Sequence, residues 1–325
     1  MPHSECNLES VTLAGGVVMP SVAFGCAFGD WIGGTDFQGF LPEQAWRPLT
    51  QALDAGYRAF DGAHAYGTES VLGALLGQRF ASGDLERDDL FVTSKLAHPL
   101  APPHVNISHR RTWDADKVPD VAERLRDDLM RTLEDLHLGY VDLLLMHWPG
   151  PFENRDPAFA RRARQTIWET FLELYEKGAT RAVGVSNFTT AHLEQLMEDV
   201  PALAPMVNQV EVHPYCRDLK LESYCRDAGI LISAYAPFAS GAFGLLQDPV
   251  LERIAEAHGV GVGQVILRWH LQSGRTVLPK SSSEKRMRQN LELFGFALTD
   301  DEMAAIDALG ENEVRRTCPD PAAVL

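Results

Sequence analysis

Four residues able to hold or move a proton stand at or just beyond the ends of apolar runs: Asp61 and Tyr66 in YRAFDGAHAYGTE, Lys95 in LFVTSKL, and His147 in VDLLLMH. Taken singly, a lysine after VTS reads as a snorkelling strand-end residue, and a histidine in MHW as a satisfied core group. Taken together they can reduce a carbonyl, which needs a hydride donor on one side of the carbon and a proton donor at the oxygen. A tyrosine, with a free pKa of about 10, keeps its proton near neutral pH and can donate it. An ammonium at Lys95 is expected to stabilise the phenolate and lower that pKa, and Asp61 to keep the buried ammonium charged. His147 would turn a ring N–H toward the substrate oxygen and orient it. A second chemistry open to Lys95 is Schiff-base formation, which needs a neutral amine and fits poorly beside Asp61 and Tyr66.

The elements that must position these groups follow from the hydrophobic pattern. Strands are expected near 21–26, 57–62, 90–96, 141–147, 180–187, 206–212, 230–236 and 276–280. Most are near-continuous apolar runs, as parallel strands covered by helices on both sides require. Between them lie helical segments such as 120–137, where Val121, Leu125, Leu129, Leu133 and Leu136 form one face. A last helix near 300–309 opens on the capping box Thr299-x-x-Glu302 and ends at Gly310, read as a C′ glycine. Unbroken β-α alternation predicts an α/β fold, a (β/α)8 TIM barrel, as a single domain over residues 1–325. Active sites of such barrels lie at the C-terminal strand ends, where the four residues stand. Residues 8–20 predict a hairpin around Gly15-Gly16 that closes one end of the barrel. Residues 97–119, rich in Pro and His, predict a long loop insertion. It reads either as a lid or as an anion-recognising loop using Arg110 or Arg111.

Composition narrows the partners. With 29 Lys plus Arg against 45 Asp plus Glu, the net charge of −16 argues against nucleic acid or an anionic membrane surface. That charge permits a monomer. The 5 cysteines include no C-x-x-C pair, so neither a disulfide framework nor a metal site is indicated, and a reducing cytoplasm is expected. No run of about 18 apolar residues predicts a membrane span. A small-molecule substrate is the expected partner.

No G-x-G-x-x-G opens a helix after a strand, which disfavours a Rossmann module. The anion-binding candidate is instead Pro279-Lys280-Ser281-Ser282-Ser283-Glu284-Lys285-Arg286, leaving the eighth strand and entering a helix. Its plain alternative is an N-cap serine with a solvated basic face.

The ordered segments GYRAFDGAHAYGTE, LFVTSKL, LGYVDLLLMHWP, AVGVSNF, NQVEVHPY, YAPF and LPKSSSEKRMRQN resemble the aldo-keto reductases, barrel oxidoreductases that use NAD(P)H without a Rossmann fold. The resemblance implies that Asp61, Tyr66, Lys95 and His147 form the catalytic tetrad. It implies further that Lys280, Ser281 and Arg286 grip the 2′-phosphate of NADPH, that Asn290 contacts adenine, and that NADPH is preferred over NADH. Ser186, Asn187 and Gln209 would bond the carboxamide, Tyr235 would stack on the nicotinamide, and Phe238, Ser240, Leu245 and Leu246 would belong to a loop over the pyrophosphate. Where many members carry tryptophans this chain has Ala27 and Ala97, so the substrate pocket is reshaped. Trp148 keeps the aromatic beside His147, and Trp31, Phe28 or Trp113 would supply the lost apolar area, which suits hydrophobic aldehydes and ketones. The resemblance also leaves room for a catalytically weak NADP(H)-sensing regulatory protein on the same fold.

Overall fold

The computed structural model describes residues 10–32, 36–97, 118–150, 156–311 and 314–324. The chain opens on an antiparallel hairpin, β1 (Ser10–Thr12) and β2 (Val18–Pro20), then β3 (Phe24–Gly25), a second hairpin of β4 (Gly29–Ile32) and β5 (Asp36–Phe40), and α1 (Trp46–Ala55). Alternation follows: β6 (Ala59–Asp61), α2 (Glu69–Ser82), β7 (Phe91–Leu96), α3 (Val118–Leu136), β8 (Leu143–Met146), α4 (Pro157–Glu176), β9 (Val183–Ser186), α5 (Thr190–Asp199), β10 (Val207–Glu211), α6 (Leu219–Asp227) and β11 (Leu231–Tyr235). The last part holds α7 (Pro249–His258), α8 (Val262–Gln272), β12 (Thr276–Val277), α9 (Glu284–Gln289) and α10 (Asp300–Asp307).

Eight parallel strands run β12-β11-β10-β9-β8-β7-β6-β3, matching the eight expected runs with trimmed ends. The two outer strands meet through a parallel bridge between Val22 and Val277. Val277 N–H donates to Ser21 O at 2.9 Å and Ala23 N–H to Val277 O at 2.9 Å, so the cylinder closes.

Period-2 alternation sorts each strand into two faces. Leu144, Met146, Val183, Val185, Val210 and Ile232 pack outward against the helices, whereas Ala59, Phe91, Leu143, Leu145 and Val207 pack inside the barrel. Asp61, Lys95, Ser186, Gln209 and Tyr235 lie an even number of positions from inward residues or opposite them in register, and so share the inner face. A one-residue slip in any strand would turn its functional side chain into the helix layer.

The first hairpin closes the barrel floor as expected. Gly15 and Gly16, at φ 88° and 83°, make the turn, and Leu13 and Met19 join the inner apolar cluster. The helix expected at 120–137 buries Val121, Leu125, Leu129, Leu133 and Leu136, and the Thr299–Glu302 capping box is present. Gly310 departs from its expected role. It lies in a 3-10 turn, Ala308–Gly310, without positive φ, and its constraint is a close approach: a Cβ there would meet Pro214 O at 2.7 Å. Of the expected insertion at 97–119, residues 98–117, with Arg110, Arg111 and Trp113, lie outside the described residues. Among the described residues no helix is long and apolar enough to cross a membrane.

Two helices approach closely at Gly73 of α2, where a Cβ would fall 2.0 Å from Asp135 O of α3. Gly73→Ala should cost about 1–3 kcal/mol or more and lower the thermal midpoint by several degrees. Gly77→Ala, in the same helix with nothing within 4 Å, should be neutral or stabilise by up to about 1 kcal/mol. Differential scanning calorimetry of both variants checks this, and equal shifts would contradict it.

Candidate active site

At the C-terminal mouth of the barrel the four expected residues meet. Lys95, 1% exposed, donates from Nζ to Asp61 Oδ2 at 2.7 Å, to Gly62 O at 2.8 Å and to the Tyr66 hydroxyl oxygen at 3.3 Å. Because the ammonium donates to the phenol oxygen, the phenol's own O–H is not consumed by that bond and can point at a substrate. His147 follows β8, its ring edge-on to Tyr66 with centroids 5.6 Å apart. Its backbone is held from two sides: its N–H donates to Leu96 O at 2.8 Å, and its carbonyl accepts from Asn187 Nδ2 at 3.0 Å.

Electrostatics refine the expectation for the acid. Burial pushes the Tyr66 phenol up to about 12; Lys95 pulls it down, as anticipated, but not enough to bring it below the ordinary tyrosine value. The lowered pKa is therefore not realised in this structure. Near neutral pH the Tyr66 phenol therefore keeps its proton. Burial also disfavours charge on Lys95, yet Asp61 and Tyr66 together outweigh it and raise the amine above the ordinary lysine value.

The turn that presents Tyr66 is fixed on both flanks. Glu69, buried three residues after it, accepts from Ser94 Oγ at 2.5 Å and from Thr132 Oγ1 at 2.8 Å, and His64, two residues before it, lies 3.9 Å from Glu69. Nothing in the local sequence pattern pointed to this bracket, because Thr132 comes from α3.

Beside the tetrad stand the residues expected around a nicotinamide. Gln209 donates from Nε2 to Asp61 Oδ1 at 2.8 Å, which leaves its carbonyl oxygen as the free end. Ser186 Oγ donates to Gln209 O at 2.8 Å, and Tyr235 OH donates to Asn187 Oδ1 at 2.8 Å. Asn187 adopts φ 64°, a conformation that asparagine tolerates better than most residues. In the loop after β11, Ala236, Ala239, Ser240 and Phe243 also have positive φ, from 47° to 59°. Such strain costs on the order of 1–3 kcal/mol each and persists only where the surroundings hold it. Leu245, 1% exposed, anchors this loop.

On the far side, Ser281 is buried, and its Oγ accepts from Ser283 N–H at 3.1 Å and from Arg286 Nε at 3.3 Å. Lys280 and Arg286 stay exposed, with Lys280 Nζ reaching Ala27 O at 2.9 Å. Asn290 is buried beside Tyr57. Two exposed cations beside a serine-rich turn suit a phosphate, and on a chain of net charge −16 they make a local basic spot.

A sequence profile of the Aldo/keto reductase family matches residues 26–311. The chain belongs to that family. It is 34% identical over 323 residues to aldo-keto reductase family 1 member A1-A of Danio rerio, covering 94% of this chain and 90% of the relative. It is 35% identical over 317 residues to glyoxal reductase of Bacillus subtilis, with 98% of both chains covered. Among solved structures, the Bombyx mori aldo-keto reductase in complex with NADP superposes with a TM-score of 0.77 at 29% identity, covering 96% of this chain and 95% of that one. The aldo/keto reductase of Brucella melitensis gives a TM-score of 0.73 at 31% identity, covering 93% and 100%. The family's enzymes are NADP(H)-dependent oxidoreductases.

In this aldo-keto reductase the expected pocket residues are distributed unevenly. Ala97 and Trp148 are buried, 2% and 5% exposed, and Ala27 is half-buried. Trp31 lies on β4, its side chain outside the described residues, as is Trp113. Phe28 is buried against Phe24, with the Lys280 ammonium 5.6 Å from its ring.

One buried carboxylate at the barrel mouth carries no signal in the sequence. Glu211, at the end of β10 and paired in register with Tyr235, accepts from Thr317 N–H at 2.6 Å, Thr317 Oγ1 at 2.7 Å and Cys318 N–H at 3.2 Å, latching the C-terminal segment across the barrel mouth. Glu211, His213 and Cys216 gather their ligand atoms within 4.8 Å, but the carboxylate is already satisfied by the latch, with Arg316 4.0 Å away. Burial would raise the Glu211 pKa, but the His213 and Thr317 hydrogen bonds outweigh it and hold the group below the ordinary carboxylate range. A depressed carboxylate contributes stability that is complete above its unfolded pKa, about 4.3, and is lost as pH falls through the folded value. Glu211→Gln should therefore cost about 3 kcal/mol at pH 7. The gap to wild type should narrow as pH falls below about 4. Calorimetry across that range checks the sign; a gap independent of pH would contradict it.

Proposed function

We propose that this enzyme reduces an aldehyde or ketone to the alcohol with NADPH, with Tyr66 as the general acid. The observation that carries the reading is the chain Asp61–Lys95–Tyr66, closed at 2.7 and 3.3 Å inside the barrel mouth with His147 beside the phenol. When bound, the cofactor supplies a hydride to the carbonyl carbon. Tyr66 delivers its proton to the oxygen as negative charge builds there, and His147 fixes the direction of that oxygen. Lys95 stabilises the phenolate left behind, and Asp61 keeps Lys95 charged through the cycle. In the oxidative direction the same phenolate takes the proton back.

Lys280, Ser281 and Arg286 would hold the 2′-phosphate and Asn290 the adenine. Ser186, Asn187 and Gln209 would hold the carboxamide, Tyr235 the ring face, and the strained loop with Ser240 would cover the pyrophosphate. Charge pairing of Lys95 with Asp61 disfavours the Schiff-base alternative, which needs a neutral amine. Apolar carbonyls fit best a pocket with Trp148 at its back and Ala27 and Ala97 at its edges. We read the chain as one domain over 1–325 and place the enzyme in the cytoplasm, a location supported by free thiols at Cys26, Cys216, Cys225 and Cys318.

Tyr66→Phe should remove carbonyl reduction by at least about 10³-fold while NADPH still quenches protein fluorescence with wild-type affinity. Retained turnover would end the assignment, and an inactive wild type with intact NADPH binding would favour a regulatory role. Arg286→Ala should weaken NADPH by about tenfold or more and NADH by less than about twofold, read by fluorescence titration. Equal loss for both cofactors would contradict the 2′-phosphate role.

A further inference from the structure

Both oxygens of the Asp61 carboxylate are engaged. Oδ2 accepts from Lys95 Nζ at 2.7 Å and Oδ1 from Gln209 Nε2 at 2.8 Å, with Asp61 4% and Gln209 2% exposed. A carboxylate demands a donor, so this contact settles which end of the Gln209 amide is which: the nitrogen faces Asp61 and the oxygen faces away. The two residues are 148 positions apart in the chain. Their strands, β6 and β10, have three others between them in either direction around the closed sheet, so the bond spans the barrel interior. Asn187 repeats the pattern beside it, its Nδ2 donating to the His147 carbonyl at 3.0 Å.

Without the Gln209 donor, Oδ1 would be buried and unpaired, which is costlier for a charged acceptor than for a neutral one. Protonation or rotation of the carboxyl group would follow, and either weakens its hold on the Lys95 ammonium. The ionisable groups about the pair are Lys95 on β7, the Tyr66 phenol after β6 and the buried Cys26 thiol after β3. Beyond them stand His147 beside Tyr66, Glu211 two positions past Gln209 on the same face of β10, and Tyr235 opposite Glu211 on β11. We infer that Gln209 is a positioning residue for the acid as well as a cofactor contact: its amide N–H fixes the Asp61 carboxylate against Lys95, and through Lys95 the Tyr66 phenol. This rests on the reductase reading above. One side chain would then set both the nicotinamide side and the Tyr66 side of the site.

The test compares the full-length wild type, Gln209→Glu and Gln209→Met. Gln209→Glu keeps the length and an acceptor oxygen for the cofactor but sets a second carboxyl group against Asp61, and two carboxyl groups in contact share a proton instead of both ionising. With that proton present an O–H donates to Asp61 as the amide did. With it lost, the added negative charge disfavours the phenolate and slows proton transfer. The readout is single-turnover reduction of 4-nitrobenzaldehyde by enzyme saturated with NADPH, from about pH 5 to about pH 9. The rate of Gln209→Glu relative to wild type should fall by about tenfold across that range, and Gln209→Met should stay about tenfold or more below wild type throughout. In the cofactor-free proteins, the Lys95 side-chain nitrogen should lose its ammonium 15N shift at lower pH in Gln209→Met than in wild type. A residue that only touches the cofactor would leave that shift unmoved and would weaken NADPH binding without changing the rate at saturation. A flat ratio in Gln209→Glu, a Gln209→Met rate within about twofold of wild type, or an unmoved Lys95 signal would each overturn the inference. Where Gln209→Glu fails to fold, the Gln209→Met rate and the Lys95 signal decide. A wild type that binds NADPH but reduces neither 4-nitrobenzaldehyde nor methylglyoxal would defeat the reductase reading itself, whereas a flat ratio beside an active wild type defeats this inference alone.

Discussion

Moving an ammonium out of water costs several kcal/mol even after relaxation, and a protein that does so must repay the cost with a partner held in place. Here Lys95 stands in the interior of a barrel with Asp61 at 2.7 Å, Gly62 O at 2.8 Å and the Tyr66 oxygen at 3.3 Å, all of its donors engaged at once. The groups lie on neighbouring strands, β6 and β7, whose register sets Asp61 opposite Thr93, two residues before Lys95 on the same face. The parity of two short strands thus fixes the charge pair, and the charge pair fixes the acid. Gln209 ties the same carboxylate from across the barrel, which couples the Tyr66 side of the site to the side proposed to face the nicotinamide.

Because the acid is buried, its chemistry differs from what residue types alone suggest. A lysine beside a tyrosine argues for an easier ionisation, and the interaction has that sign, but desolvation is larger and leaves the phenol at about 12. Such a group keeps its proton at neutral pH, and in the proposed reaction substrate charge, developing at the carbonyl oxygen, would draw that proton away. The ammonium would then act mainly on the phenolate product of that transfer.

Much of this was legible in the sequence because it depends on local periodicity. Strand runs ending in Asp61, Lys95 and His147 announce a barrel with its chemistry at the strand ends, and Gly15-Gly16 announces the hairpin at the floor. What the sequence hid has a common cause in partners far apart along the chain. Glu211 looks like one more residue of VNQVEV, yet its donor Thr317 is 106 positions away. Thr132 and Glu69, 63 positions apart, carry no shared pattern either. The β4–β5 hairpin was missed for another reason: glycines at 29, 33, 34 and 39 break the alternation that marks a strand. Gly310 misled because a glycine at a helix end has two uses, positive φ or close approach, and only packing against Pro214 decides between them.

The account turns on whether Lys95 remains an ammonium in its dry surroundings because of Asp61. The direct measurement is the 15N chemical shift of the Lys95 side-chain nitrogen, followed with rising pH in the wild type and in Asp61→Asn. The wild-type Lys95 signal should still be that of an ammonium when the exposed lysines have titrated, whereas in Asp61→Asn it should titrate before them. A Lys95 signal that follows the exposed lysines in both proteins would contradict the account.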